Sequence, residues 1–480
     1  MHIPSRVTCG LAALAVIAGT ADPTGTKAVR AAAGFELTVD SIMRGPKLVG
    51  YPPTGLRWSG DSSRLYYEWR RPGEDETSTW VVGRDGGEPK KLSDAERRSA
   101  PPVSGVWDKA HRRVLFVDQG DIVLLDSVSG TRRNITRTTG TESNPRWARR
   151  EGAVTFVRDN NLFAVPIDSG EIAQLTDVQA KKRDPRETDS QKFVKAEEQK
   201  LIEHTRVEAE KKKKAEEKDK ARALPKFELA DRQSATDLQL SPDGTHVFLL
   251  IVERTETAKR PNVPNYVTES SYTEDIPTRT FVGDAQDKRT LAIMNLETGK
   301  TASAEGEFGE KRQVRWGMPQ ISADGALAVA HVRAENNKDR WLVAVDPESG
   351  KSRVLDTLHD DAWVREVGGF GPNDPSFGWF RDQKHLWFLC ERDGWMHLYS
   401  LDATADTPAA RQLTQGKWEI ESAKLSPDEK KFYITSTEVH PGERHIYAMA
   451  ADGGARTKLT SMTGGSAGEV SPAISGSRLP

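Results

Sequence analysis

Few residue groups in this chain have the types and spacing that chemistry needs. Gly464-Gly465-Ser466-Ala467-Gly468 has the Gly-x-Ser-x-Gly form of a hydrolase nucleophile turn. That turn needs a strand before it, a helix after it, and an acid and a histidine later in the chain. The tail beyond Ser466 contains neither Asp nor His, so Ser466 is not read as a nucleophile. Gly299-Lys-Thr301 and Gly350-Lys-Ser352 look like the end of a phosphate-binding loop, but neither has the glycine five residues earlier. There is no His-Glu-x-x-His pair and no cysteine cluster to hold zinc, and no cofactor is expected. Of two cysteines, Cys9 lies in the leader, and Cys390 ends the apolar run Leu386-Trp-Phe-Leu-Cys390, which reads as a buried strand with a packed thiol. The residues therefore show no self-contained catalytic machinery, and function has to be sought in the elements.

The chain has 480 residues, 29% charged and 36% apolar, with a formal net charge of −2. That is enough apolar material for a large core. A near-neutral balance gives no reason to expect nucleic-acid binding. A mean hydropathy of −0.63, with no long apolar run after residue 20, excludes a polytopic membrane protein. Residues 1–33 read as a leader: a basic start, an apolar stretch from Val7 to Ala18, then small residues. Export to a periplasmic or extracellular space is the expectation, with no integral membrane segment in the mature chain.

From residue 34 onward a unit recurs: an apolar residue, Ser or another small residue, a turn, two β-rich runs and a Gly turn. Its clearest copies are Leu240-Ser-Pro-Asp-Gly244, Ile321-Ser-Ala-Asp-Gly325 and Leu425-Ser-Pro-Asp428, with Trp58-Ser-Gly-Asp61 as a variant. Weaker copies begin at Trp107, Trp147, Trp379 and Val470. Most spacings between these anchors are 40–58 residues, the length of a four-stranded propeller blade; two are longer, at 93 and 81. The second glycine of each unit, as in Ser129-Gly130, Thr298-Gly299 and Ser349-Gly350, sits between short β-rich runs as a hairpin turn does. A four-stranded sheet cannot cover its own faces, so such units must stack about an axis. The expected fold is an all-β propeller over 34–480, with seven complete four-stranded blades and the start of an eighth.

The 93-residue gap holds an insertion at 180–228 that is read as a charged α-helix. It lacks glycine and includes Glu208-Ala-Glu-Lys-Lys-Lys-Lys-Ala-Glu-Glu-Lys-Asp-Lys220. The 81-residue gap holds Arg260 to Arg279, read as a long loop between strands. Arg392, Asp393 and Trp395 read as a structural turn, with Trp395 packing between blades and Arg392 paired locally. His397 and His445 read as satisfied structural residues.

Four segments carry a more specific pattern: Cys390-Glu-Arg-Asp-Gly-Trp-Met-His-Leu-Tyr399, Arg411-Gln-Leu-Thr-Gln-Gly-Lys-Trp-Glu419, Glu443-Arg-His-Ile-Tyr447 and Ala451-Asp-Gly-Gly454. They resemble the N-terminal propeller of the dipeptidyl peptidase IV branch of the prolyl oligopeptidase serine peptidases. Leu48-Val-Gly-Tyr-Pro-Pro-Thr-Gly-Leu-Arg-Trp58 and Tyr67-Glu-Trp-Arg-Arg-Pro-Gly-Glu74 are similar to its bacterial members. The resemblance implies a propeller set on an α/β-hydrolase domain with a Ser-Asp-His triad, which is absent from this chain, so the chain alone is expected to be inactive. It also implies two adjacent glutamates that hold the free amine of a peptide substrate. Glu197 and Glu198 occupy the comparable place, between Gln174-Leu-Thr176 and the Ser241-Pro-Asp-Gly unit. Two carboxylates in a shielded cavity would hold an ammonium group. The expected partners are a peptide N-terminus, a missing or separate hydrolase domain and a second copy of the chain as a homodimer. The alternative reading is a stand-alone, non-catalytic periplasmic propeller of the TolB type that binds or scaffolds.

Overall fold

The computed structural model describes residues 38–45, 50–181, 190, 193, 223–256, 261–278, 284–309, 312–365 and 376–461. The chain divides into a short unit, Met1–Tyr51, and a large one, Pro52–Pro480. In the short unit, helix Val39–Met43 starts at Thr38, whose hydroxyl accepts from Ser41 N while Ser41 Oγ accepts from Thr38 N, a reciprocal cap.

The large unit is a seven-bladed β-propeller. Its blades cover residues 54–91, 106–134, 143–174, 233–303, 314–359, 377–412 and 420–458, each an antiparallel meander of four strands. The fifth adds a short strand, Gln320–Ile321, beside Ala328–Ala334. The sequence anchors mark where the first strand ends. Trp58, Trp107, Leu240, Trp379 and Leu425 are last residues of their blades' first strands, Ile321 ends the short added strand, and Trp147 is one residue short of an end. Val470 and the expected eighth blade lie outside the described residues, as do the leader and Ser466.

The repeated Ser-x-Asp has a mechanical reason. Ser241 Oγ donates to Asp243 and accepts the His246 amide at 2.9 Å, and Thr245 N donates to the same carboxylate. Ser322 and Ser426 do the same, donating to Asp324 at 2.6 Å and to Asp428 at 2.7 Å and accepting the amides of Leu327 and Lys431. One buried hydroxyl thus satisfies the donors of a tight turn and fixes where the second strand begins. Gly299 (φ +69) and Gly350 (φ +73) close third-to-fourth strand turns, so neither belongs to a phosphate loop.

Central strands of the inner blades are buried on both faces because each lies between two others. Along His246–Glu253 the side chains alternate. Val247 and Leu249 pack with Val157 and Leu162 of blade 3, and Phe248 packs with Trp341 and Val343 of blade 5. Blades 5 and 6 share Val329, Leu342, Phe388, Tyr399 and the fully buried Cys390. Blades 6 and 7 share Trp387, Leu398, Phe432 and Ile434.

Two excursions differ in kind. The segment expected as a loop at 260–279 contains a two-stranded hairpin, Asn262–Asn265 with Glu274–Pro277, standing between the second and third strands of blade 4. Its strands are only four residues long and carry prolines, so they left no strand signal in the sequence. Between blades 3 and 4, Asp177–Ala180 pairs in parallel with Lys226–Leu229. Within 182–222 of the charged insertion, Ser190 and Phe193 are described, and both are helical.

Candidate functional site

Meander topology sorts the connections into two ends. Turns joining strands one to two and three to four lie at one end; those joining two to three, and each blade to the next, lie at the other. The first end carries the tight Ser-x-Asp and Gly turns. The second carries the hairpin of blade 4, the link that holds the insertion, and the segments 360–365, 390–396 and 413–419. This loop-rich end is the candidate functional surface.

Its best-defined part spans blades 5 to 7. The link Asp360–Arg365 is pinned along its length. Asp360 Oδ1 accepts from Ala362 N and Trp363 N at 2.7 and 2.9 Å, and Val364 N donates to Asn337 O at 2.8 Å. Arg333 Nη2 donates to Val364 O, and Arg365 N donates to Glu391 Oε1. Arg365 reaches Glu419 at 3.0 Å, tying this link to the one before blade 7. Val364 is fully buried while Trp363 is 65% exposed, so a rigid backbone presents an indole to solvent.

The Glu391–Trp395 turn is structural. Gly394 takes φ +88, and its amide donates to Glu391 O. Asp393 is held by Gln412 Nε2 at 2.7 Å and by the Trp395 amide. Arg392 reaches across the blade boundary: its Nη2 donates to both oxygens of Asp356, at 2.6 and 2.7 Å, and its guanidinium lies 4.9 Å from the centre of the Tyr399 ring. Its partner is therefore in the preceding blade, 36 residues away, and not local. Trp395 is 37% exposed and does not fill the space between blades. Burial raises the Asp356 carboxyl above its ordinary range, opposed by the Arg392 bonds.

His397 is fully buried and uses both ring nitrogens, against Thr414 Oγ1 at 3.1 Å and Gly416 O at 3.0 Å. His445 does the same with Thr460 Oγ1 and Glu443. Both are structural, as expected. His359 was missed in the sequence. Its Nδ1 lies 2.7 Å from the buried Asp339 and its Nε2 3.2 Å from Asp361, and these bonds raise its pKa above the usual imidazole value. Among the described residues no group of His, Cys, Asp and Glu is arranged to hold a metal. Glu197 and Glu198 lie outside the described residues.

Seven meander blades with the long excursions gathered at one end define a β-propeller with one elaborated face. The sequence model of the dipeptidyl peptidase IV (DPP IV) N-terminal region matches residues 231–478, and the chain belongs to that family. A probable dipeptidyl peptidase 4 of Aspergillus flavus is 26% identical over 255 residues, 49% of this chain and 31% of that protein. A probable dipeptidyl-aminopeptidase B of Aspergillus clavatus is 30% identical over 139 residues, 27% of this chain and 15% of that protein. Among solved structures, Porphyromonas gingivalis dipeptidyl peptidase 4 superposes with a TM-score of 0.54 at 15% identity, over 92% of this chain and 57% of that one, a likeness of fold. The chain thus spans less than a third of the length of the A. flavus relative. Among the described residues no helix is long and apolar enough to cross a membrane.

Proposed function

We propose that this chain is the substrate-selecting propeller of an exported dipeptidyl-peptidase-like serine peptidase, which releases dipeptides from peptide N-termini together with an α/β-hydrolase domain. The observation that carries this reading is the family match across blades 4 to 7. The gathering of long excursions at one end supports it, because a propeller that screens substrates needs one elaborated face. In the proposal the hydrolase supplies the nucleophile and the acyl-transfer chemistry. The propeller narrows access and positions the substrate. Glu197 and Glu198 are proposed to receive the substrate's ammonium group. In support, the strand that leads to them, Asp177–Ala180, leaves blade 3 at the loop-rich end.

An assay with an Xaa-Pro-chromophore substrate tests the reading. The 480-residue chain alone is expected to give no turnover and to gain it with a cognate hydrolase domain; turnover by the chain alone refutes the division of labour. In that assembled enzyme, E197Q/E198Q is expected to raise KM at least tenfold for substrates with a free amine. An unchanged KM removes these glutamates from the site.

A further inference from the structure

One imidazole stands at the base of the pinned link Asp360–Arg365. His359 is the last residue of the fourth strand of blade 5, and its cross-strand partner is Asp339, the first residue of the third strand. Nδ1 of the ring lies 2.7 Å from Asp339 Oδ1, and Nε2 lies 3.2 Å from Asp361 Oδ1. The ring therefore bridges two carboxylates from different elements, a strand of the blade and the link that leaves it.

Such a bridge counts protons. A carboxylate only accepts, so each contact needs an N–H on the ring; the imidazolium has two and the neutral ring has one. Deprotonation must break one contact, and burial decides which. Asp339 is 5% exposed, and its Oδ1 has no other hydrogen-bond donor among the described residues. Asp361 is fully exposed, so water replaces whatever it loses. The single proton stays on Nδ1 for Asp339, and Nε2 then turns a lone pair on Asp361.

The surrounding charges are three carboxylates and two cations. The other oxygen of Asp339 is ion-paired with Arg312, from the segment that enters blade 5. Asp360 lies beside the ring on the link, and Lys338 acts on Asp360 from the turn before the third strand. The amides of Trp363 and Ala362 hold the Asp360 carboxyl below its ordinary range, so it stays charged where an imidazole titrates. Both contacts of the ring favour its charged form, the one to Asp339 most. Half of the His359 side chain is in solvent, so it exchanges protons directly with water.

Position gives the bridge its consequence. Asp361 sits inside the turn that Asp360 closes by accepting the amides of Ala362 and Trp363. We propose that His359 is a proton-operated clasp on this turn. Protonated, it holds Asp361 against the blade and fixes how Trp363 is presented at the loop-rich end. Deprotonated, it keeps Asp339, releases Asp361 and loosens the turn. The anchors at Val364 and Arg365 persist in both forms, which confines the change to 360–363. The inference does not depend on the peptidase reading.

Nuclear magnetic resonance of the full 480-residue chain tests it, with carbon-labelled histidine and fluorotryptophan, assigned through H359Q and W363F. The His359 midpoint is expected above 6.5, the free imidazole value. The Trp363 fluorine resonance is expected to move with that midpoint, while that of Trp80, buried in blade 1, stays still. In H359Q the Trp363 movement is expected to vanish. D361N alters only an exposed side chain, and is expected to lower the His359 midpoint and shrink the Trp363 movement. A His359 midpoint at or below 6.5, a Trp363 resonance that is flat across it, or a movement that survives in H359Q overturns the inference.

Discussion

At the scale of single residues, the seam between blades 5 and 6 makes two predictions. His331 holds its neutral form down to about pH 3, against 6.5 for a free imidazole, through burial and then the charge of Arg340. Between those values the unfolded chain binds a proton that the folded chain does not, so this group removes stability as pH falls through the window. The cost is roughly 3 kcal/mol by pH 4. Urea unfolding at pH 7 and pH 4 should show H331N losing less stability than wild type over that interval. His359 works in the opposite sense. Its raised pKa adds stability below the unfolded value, and this is lost as pH rises through the folded one. The second prediction concerns Arg392. Arg392→Met leaves Asp356 buried without its partner and should cost about 1–3 kcal/mol in denaturant midpoint. That is less than for a fully buried pair because a third of the Arg392 side chain is in solvent. Arg392→Met/Asp356→Leu removes both charges and should recover most of the loss.

At the scale of elements, the turns tie sequence to register. A Cβ on Gly350 would meet Ser303 O at 2.3 Å, and the residue sits at φ +73. Gly350→Ala should therefore cost more than the roughly 1 kcal/mol of an ordinary left-handed position, whereas Gly299→Ala, with open space around it, should cost about that amount. Differential scanning calorimetry of the two variants checks the ordering. The blade 4 hairpin exposes Val263, Tyr266, Val267, Tyr272 and Ile276, and a lone two-stranded ribbon is marginally stable in water. We propose that the homodimer expected from the sequence would use that surface. Replacing 262–277 with a short Gly-Ser turn should leave the melting temperature of the propeller nearly unchanged and convert dimers to monomers in light scattering; an unchanged mass rules the hairpin out as the interface.

These elements also show what the sequence made legible. The Ser-x-Asp turns and glycine hairpins were readable because their chemistry is local: donor and acceptor lie within five residues, so spacing alone carries them. The first-strand ends at Trp58, Leu240 and Leu425 followed from that spacing. The Arg392–Asp356 pair was hidden because its halves lie in different blades: Arg392 reads as part of a local turn and Asp356 as an ordinary charge in a strand. Trp395 was expected inside for its size, yet the turn that holds Asp393 keeps it at the surface. Arg340 gave no signal at all, because burial in a seam is decided by which face of a strand meets the neighbouring blade.

At the scale of the whole molecule, stacking makes the blades mutually dependent. Phe248 and Val247 point to different neighbours, so a cavity in one seam is felt in the blade on both sides. Phe388→Ala, in the centre of the blade 5–6 seam, should cost about 3–5 kcal/mol. Hydrogen exchange should then show lost protection in both blades, not in blade 6 alone.

The parallel pairing of Asp177–Ala180 with Lys226–Leu229 also has a consequence for how this protein can change. Two parallel strands fix both ends of whatever joins them, one strand spacing apart, and the joining chain need only run back the length of the pair. The entropic cost of closing such a connection grows with the logarithm of its length. The insertion can therefore lengthen, shorten or be exchanged at little cost to blades 3 and 4, which makes it a cassette at the loop-rich end. A linker of about ten residues should replace it with the blades intact.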